Sequence, residues 1–172
     1  NGFWDDGRLV HFRFYTKDVT ELKKAERKLR QLGLHDPLTG LPNRMMFADL
    51  VRRSLLRAKS EPDYVFAVLF LDVDDLKTVN DQMGHQAGDD LLMEVGNVLR
   101  RCLRPGDVAA RLAGDEFAVL LFDFESKSTV EVVARRVADD LSRSERMAQI
   151  GINNTISIGG VIADGTYNDY QD

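Results

Sequence analysis

The chain contains 172 residues, of which 44% are hydrophobic, and its formal net charge is −5. This length suits one folded domain with an appended fragment, and the acidic balance excludes a protein that coats DNA or an anionic membrane surface. No apolar run approaches the roughly 20 residues that a membrane span needs, and residues 1–16 do not resemble a signal peptide, so we expect a cytoplasmic protein. The single cysteine, Cys102, cannot form a disulfide framework and is expected to serve packing.

The first 34 residues are typical of a connection from another domain. Residues 1–16 contain an Asp-Asp-Gly turn followed by an alternating strand predicted over Leu9–Tyr15. A linker helix is predicted over residues 17–34, because Asp18 begins a capping box and the apolar residues that follow have helical spacing. Two interpretations of this helix stay open: it pairs with a partner helix as a coiled coil, or it is an amphipathic connector packed on its own domain.

A globular domain is predicted from residue 35 onward. Proline and glycine break the preceding helix, and a new helical pattern begins near Phe47. The apolar run Tyr64–Leu71 predicts a central strand covered on both faces. Periodicity then predicts a helix, a hairpin, a second helix and a last strand, in that order, over Gln86–Leu103, Val108–Leu112 with Phe117–Phe122, Val130–Leu141 and Thr155–Ile162.

This order predicts an α+β, ferredoxin-like βαββαβ fold: an antiparallel sheet of four strands with both long helices packed on one face. We expect the first strand to be central and to lie beside the strand that enters the hairpin. The end of the first strand, at Asp72, then approaches the hairpin turn.

Carboxylates lie at both of these places, Asp72 at the strand end and Asp115 in the turn. Together with a backbone carbonyl they form an oxygen-rich site, which suits Mg²⁺ and a substrate that carries phosphates. The alternative is an acidic edge that is merely solvated.

The segment between strand and helix supplies Asn80 and Asp89. An amide and a carboxylate match the edge of guanine, since its O6 accepts a hydrogen bond while its N1–H and exocyclic amine donate. The alternative is that both residues are helix caps, and the sequence leaves the two interpretations open.

Four segments closely resemble, in order and spacing, the GGDEF family of diguanylate cyclases: DPLTGLPNR, LDVDDLKTVNDQMGHQAGD, RPGDVAARLAGDEF and TISIGG. The resemblance implies a palm-type domain over residues 35–172. Residues 1–16 more weakly resemble the end of a PAS sensor domain, with residues 17–34 as its signalling helix. Because the chain stops at Asp172, we expect the family's last helix and strand, with their phosphate-binding lysine and arginine, to be missing.

The resemblance implies a reaction that joins two GTP molecules into cyclic di-GMP with loss of two pyrophosphates, each protomer of a homodimer holding one nucleotide. By motif position, Asp72, Asp115 and the Val73 carbonyl bind Mg²⁺ or Mn²⁺. Glu116 assists the attacking 3′-hydroxyl. His85 lies inside the same motif, where a structural role is favoured over a catalytic one.

The resemblance also implies how the substrate is held. Asn80 and Asp89 bind guanine, Lys77 lies near phosphate, and the backbone at Ala113 and Gly114 approaches phosphate. Ala113 departs from the family pattern, because it replaces the first glycine of the signature. We expect it to add strain if its φ is positive, with catalysis still tolerated.

Arg104 and Asp107 match the family's RxxD product-inhibition motif. The alternative is a surface ion pair, and Arg101 and Arg111 are interpreted as ordinary neighbours.

The leading function is therefore a diguanylate cyclase with product inhibition in sensory signalling. The alternatives are a GTP-binding regulatory domain of low or no activity, controlling an attached domain such as an EAL phosphodiesterase, and a cyclic di-GMP receptor that uses only Arg104 and Asp107.

Overall fold

The computed structural model describes residues 2–5, 8–12, 33–124, 126–150 and 156–163. The chain divides into two compact units, residues 1–33 and 34–172. In the first unit, β1 (Gly2–Asp5) pairs antiparallel with β2 (Arg8–Phe12). The predicted strand over Leu9–Tyr15 is confirmed for residues 9–12. Its remainder and residues 17–32 of the predicted linker helix lie outside the described residues, and Gly33 and Leu34 form a turn.

The second unit alternates helices and strands as the periodicity predicts. Its elements are α1 (Arg44–Ser60), β3 (Phe66–Val73), α2 (Leu76–Met83), α3 (His85–Cys102), β4 (Val108–Ala113), β5 (Glu116–Phe122), α4 (Lys127–Ser142), α5 (Glu145–Ile150) and β6 (Ile156–Ala163). The four strands β3 to β6 form one sheet in the order β4-β5-β3-β6, with every neighbouring pair antiparallel. The α+β, ferredoxin-like prediction is thus confirmed.

The neighbour predicted for the first strand of this sheet is wrong. β3 lies beside β5, the strand that leaves the hairpin, and not beside β4, which enters it. β3 and β4 run in the same direction, so the antiparallel β5 can hydrogen-bond to both of them from a position in between. Because β5 begins at Glu116, this pairing places the start of β5 beside the end of β3.

The two long helices of the prediction, α3 and α4, pack on one face of the sheet, as expected. The opposite face is covered as well, by α1, and the expectation of helices on one side only is wrong in this respect. One core lies between the sheet and helices α3 and α4, and it contains Leu69, Leu71, Phe117 and Val119 from the strands. On the opposite face, α1 packs through apolar side chains against Phe66 and other strand residues. Side chains of β3 point alternately to the two faces of the sheet, and apolar side chains lie on both faces. Each face therefore needs helices to bury it.

The local signals explain most element boundaries. α1 begins after Asn43, whose side chain accepts a hydrogen bond from the Met46 N–H at 3.1 Å. α2 was not predicted; it ends at Gly84, which has a φ of +86° and separates it from α3.

Within the part of the chain that the structure describes, no helix combines the length and apolarity required to cross a membrane.

Cys102 lies buried at the end of α3, as the packing interpretation expects. Its Sγ lies 3.4 Å from an Asp140 carboxylate oxygen. Burial first, and then this carboxylate, raise the pKa of the thiol to about 11, so Cys102 is uncharged at neutral pH.

Candidate active site

The pairing of β3 with β5 brings the predicted carboxylates together. Asp72 lies directly opposite Glu116 in the register of the two strands, and the Val73 N–H donates to the Asp115 carbonyl at 3.2 Å. Asp72 and Glu116 share one face of the sheet, since directly opposite residues point the same way. Strand end and hairpin turn therefore form one acidic edge, as predicted.

The positive φ of the hairpin turn lies at Gly114, the second glycine of the family signature. Gly114 has a φ of +50°, whereas Ala113 is not among the described residues with positive φ. A bulge between Arg111 and Ala113 adjusts the strand before the turn. The strain expected from replacing the first glycine is therefore absent, because L-residues pay a penalty only in the left-handed region that Gly114 occupies.

Arg111 holds this turn, so its interpretation as an ordinary neighbour is wrong. Its Nε and Nη2 donate to the Gly114 carbonyl at 3.0 and 2.7 Å, and its Nη1 lies 3.2 Å from an Asp36 oxygen. Only 13% of its side chain is exposed. The signal that sequence reasoning missed is the pairing of an acid in the HDPLTGLPNR segment with the arginine before the turn, 75 residues apart.

The loop that carries Asp36 is itself fastened to the domain. Asp36 accepts from the N–H and hydroxyl of Thr39 at 2.8 and 2.7 Å. On the other side of the loop, Arg100 of α3 donates to the Thr39 carbonyl. The Arg111 N–H adds a backbone bond to the Pro42 carbonyl at 2.9 Å. The acidic turn is thus connected to α3 through a hydrogen-bonded loop.

The electrostatics at the edge favour a bound cation. Burial and then the negative charges of Asp115, Asp74 and Glu116 raise the pKa of Asp72 above its ordinary value. Among residues 33–124, 126–150 and 156–163, no group of three or more His, Cys, Asp or Glu side chains is arranged to hold a metal. Two carboxylates with a backbone carbonyl nevertheless fit a hard divalent cation, which takes its remaining ligands from water and phosphate.

A cleft of about 430 Å³ opens beside this edge. Its lining includes Asp72 and Glu116 together with Arg44, Phe70 and Ser157. Arg44 and Ser157 were not predicted as site residues. Arg44 ends the DPLTGLPNR segment, to which the resemblance assigns no site residue, and the position of Ser157 depends on the pairing of β6 with β3, which periodicity does not specify.

Asn80 and Asp89 lie on consecutive helices, and neither is an N-cap. Asn80 is the fifth residue of α2, and Asp89 is the fifth residue of α3, whose cap is Gly84. The side chain of Asn80 packs over Gly88, since a Cβ added to Gly88 would lie 2.0 Å from the Asn80 Oδ1. The helix-cap interpretation is therefore wrong, and the structure brings Asn80 against the residue that precedes Asp89.

Lys77 and His85 are exposed, at the second residue of α2 and the first residue of α3. Neither lines the cleft that contains Asp72. The exposure of His85 gives no support to the structural role that the sequence analysis favoured for it.

The RPGD segment forms a tight turn at the far end of β5. Its ends are joined by the Asp107 N–H, which donates to the Arg104 carbonyl at 3.1 Å, and Gly106 has a φ of +107°. The Arg104 Nε lies 3.4 Å from Asp107, whose side chain is 4% exposed, while Arg104 remains half exposed. Arg104 also donates to the Phe122 and Asp123 carbonyls. The ion pair of Arg104 with Asp107 is therefore present, and the remaining donors of Arg104 bond to backbone carbonyls at the end of β5.

The fold and the acidic edge define an α+β domain with helices on both faces of its sheet and a carboxylate site at a strand end and hairpin turn. The sequence model described as "Diguanylate cyclase, GGDEF domain" matches residues 33–172. The chain belongs to the diguanylate cyclase GGDEF-domain family.

Similar proteins from Pseudomonas aeruginosa include a bifunctional diguanylate cyclase/cyclic di-GMP phosphodiesterase, MucR, which is 40% identical over 147 residues. That match covers 86% of this chain and 21% of MucR. The diguanylate cyclase TpbB is 40% identical over 152 residues, covering 88% of this chain and 34% of TpbB. The chain thus spans a fifth to a third of these relatives.

Solved structures agree in fold. The coiled coil and GGDEF domain of DgcB from Caulobacter crescentus, in complex with c-di-GMP, has a TM-score of 0.78 at 28% identity. The alignment covers 87% of this chain and 79% of that one. The GGDEF domain of TpbB has a TM-score of 0.68 at 37% identity and covers 74% of both chains.

The pairing of Asp36 with Arg111 predicts a pH-dependent contribution to stability. Burial opposes ionisation of Asp36, but hydrogen bonds from Thr39 and Arg111 outweigh it and lower the pKa of Asp36. A lowered folded pKa stabilises the protein above about pH 4 and loses that contribution as pH falls through the folded value. We expect Asp36→Asn to reduce the free energy of unfolding by roughly 1–3 kcal/mol at pH 7, and by less at pH 3.5.

Urea unfolding followed by circular dichroism at both pH values measures this difference. Asp63→Asn, which alters an exposed carboxylate between α1 and β3, is the matched control and should change little. A deficit of equal size at both pH values contradicts the charge-based explanation.

Proposed function

We propose that this domain condenses two GTP molecules into cyclic di-GMP and two pyrophosphates. The observation that carries the proposal is the register that sets Asp72 opposite Glu116, with Asp115 adjacent in the turn. A strand end and a hairpin turn on one sheet edge hold these groups on rigid elements, which is what positioning of two reacting nucleotides requires.

Asp72, the Val73 carbonyl and Asp115 would hold Mg²⁺ or Mn²⁺. When bound, the cation neutralises charge on the α-phosphate and the leaving pyrophosphate and lowers the pKa of the attacking hydroxyl. Glu116, exposed on the same edge, is the proposed acceptor of the proton from the 3′-hydroxyl. Burial first, and then repulsion from the neighbouring carboxylates, raise the pKa of Asp72, and the repulsive part supports this use because unneutralised carboxylates attract a cation.

The substrate base is assigned to the junction of α2 and α3. The Asn80 amide would donate to guanine O6, and the Asp89 carboxylate would accept from N1–H and the exocyclic amine. The packing of Asn80 over Gly88 supports this arrangement. The backbone at Ala113 and Gly114 and the exposed Lys77 would then lie near the phosphates.

One domain holds one GTP in this proposal, so turnover requires a homodimer in which two sites face each other. Residues 1–16 and 17–34 are proposed as the end of a PAS-like sensor and a signalling helix that controls this pairing.

Cyclic di-GMP would inhibit by binding Arg104 and Asp107. The half-exposed guanidinium of Arg104 supports the last point, since it keeps donors accessible to guanine or phosphate.

A second function is a GTP-binding regulatory domain of little or no activity that controls an attached phosphodiesterase. The observation that favours it is the similarity to a cyclic di-GMP phosphodiesterase from Escherichia coli, PdeR, which is 37% identical over 142 residues. Product formation distinguishes the two functions.

The first experiment incubates the full-length protein with GTP and Mg²⁺ and detects cyclic di-GMP by chromatography. We expect product from the unmodified protein, and roughly 100-fold less or none from Asp115→Asn, because that variant loses a metal carboxylate. Calorimetric titration with GTP accompanies the assay. No product from a dimeric protein that binds GTP contradicts the cyclase and supports the regulatory function.

The base assignment predicts a nucleotide-binding defect in Gly88→Ala. The new methyl group displaces the Asn80 amide, and loss of one hydrogen bond is expected to weaken GTP binding about tenfold. Gly96→Ala on the same helix controls for helix propensity, since its methyl group would face Thr39 instead. Equal GTP affinity in the two variants would remove Asn80 from the base site.

Product inhibition predicts that Arg104→Ala weakens cyclic di-GMP binding by roughly tenfold or more, because a charge-assisted contact is lost. The matched control is Arg101→Ala, an exposed arginine paired with Glu94 at 3.5 Å. Because Arg104 also caps β5, the titration is performed on variants whose unfolding transitions show them to be folded. Unchanged affinity in Arg104→Ala assigns the RPGD turn to structure alone.

A further inference from the structure

Ser157 on β6 lies directly opposite Asp72 in the register of β3 with β6. Asp72 is therefore flanked on both neighbouring strands, by Glu116 on β5 and by Ser157 on β6. The three side chains share one face of the sheet and line the same cleft. Ser157 is thus a direct cross-strand neighbour of Asp72, as Glu116 is, although the family resemblance assigns it no role.

The hydroxyl of Ser157 is directed to another carboxylate. It donates to the Asp74 Oδ1 at 3.0 Å, across 83 residues of sequence. A serine hydroxyl has one proton to donate, so in this arrangement it is not donated to Asp72. The carboxylate of Asp72 thereby remains available to a cation, while that of Asp74 is fixed beside it.

Asp74 contributes charge at this edge. It follows Val73, whose carbonyl is one of the proposed metal ligands, and its negative charge acts on Asp72 together with that of Asp115. Fixed negative charge close to a carboxylate pair strengthens the attraction for a hard divalent cation. Hydrogen bonds to groups around a metal site are a recurring way to hold that charge in place.

We propose that Ser157 is a positioning residue that orients the Asp74 carboxylate toward the divalent-cation site formed by Asp72, the Val73 carbonyl and Asp115. The inference rests on the proposed function, because it assumes that a cation binds at this edge. It adds two residues, one from the last strand of the sheet, to a site otherwise built from β3 and the hairpin turn.

The test measures the affinity of the full-length protein for Mn²⁺ alone, by electron paramagnetic resonance of the free ion. Ser157→Ala removes the donor, and we expect its Mn²⁺ affinity to fall about tenfold. Ser157→Thr keeps a hydroxyl on a residue that suits a strand, so it should bind Mn²⁺ as the unmodified protein does. Asp74→Asn removes the charge and should weaken binding at least as much as Ser157→Ala.

Ser142→Ala is the matched control, since the Ser142 hydroxyl donates to the Asp139 carbonyl at the end of α4. Circular dichroism confirms folding of each variant at the temperature of the titration. Equal affinity of Ser157→Ala and the unmodified protein, with binding abolished in Asp72→Asn, overturns this inference and leaves the proposed function standing. Absence of Mn²⁺ binding in the unmodified protein also overturns this inference, whereas the proposed function is then judged by product formation with GTP, whose phosphates supply further ligands.

Discussion

The register between β3 and β5 is the constraint on which the rest of the domain depends. Side chains alternate along a strand, so a slip of one residue would turn Asp72 into the core that Leu71 and Val73 now occupy and would turn these two apolar side chains toward the opposite face. The observed register buries apolar side chains on both faces and leaves Asp72 and Glu116 exposed at the edge. Burial of the core and assembly of the acidic site are therefore satisfied by the same pairing, and neither can change alone.

Two arginines hold the ends of the hairpin that completes this pairing. Arg111 fastens the turn through the Gly114 carbonyl, and Arg104 fastens the end of β5 through the Phe122 and Asp123 carbonyls. Each is joined to a carboxylate of low exposure, Asp36 or Asp107. Because Arg111 also bonds to Asp36, 75 residues earlier in the chain, the position of the turn depends on the rest of the domain as well as on the local preferences of its residues.

The sequence was sufficient to predict the order in which the strands and the two long central helices follow one another along the chain, because apolar periodicity is a local property. It also located Asp72 and Asp115, since both follow β-forming runs. The second helical layer, the neighbour of β3 and the contacts of Arg111 depend on pairings between distant segments, which periodicity does not encode. Asn80 and Asp89 were left between two interpretations because α2 was missed, and the end of that helix decides which residues are caps.

The two small residues of the hairpin turn, Ala113 and Gly114, differ in backbone conformation. Gly114 occupies the left-handed region, whereas Ala113 continues the strand with an ordinary φ. A methyl group at the first position is therefore compatible with the backbone that the acidic residues need. In other chains of this family, an alanine at the first position is weak evidence of lost function, whereas a bulky residue at the second would indicate that the hairpin itself has changed shape.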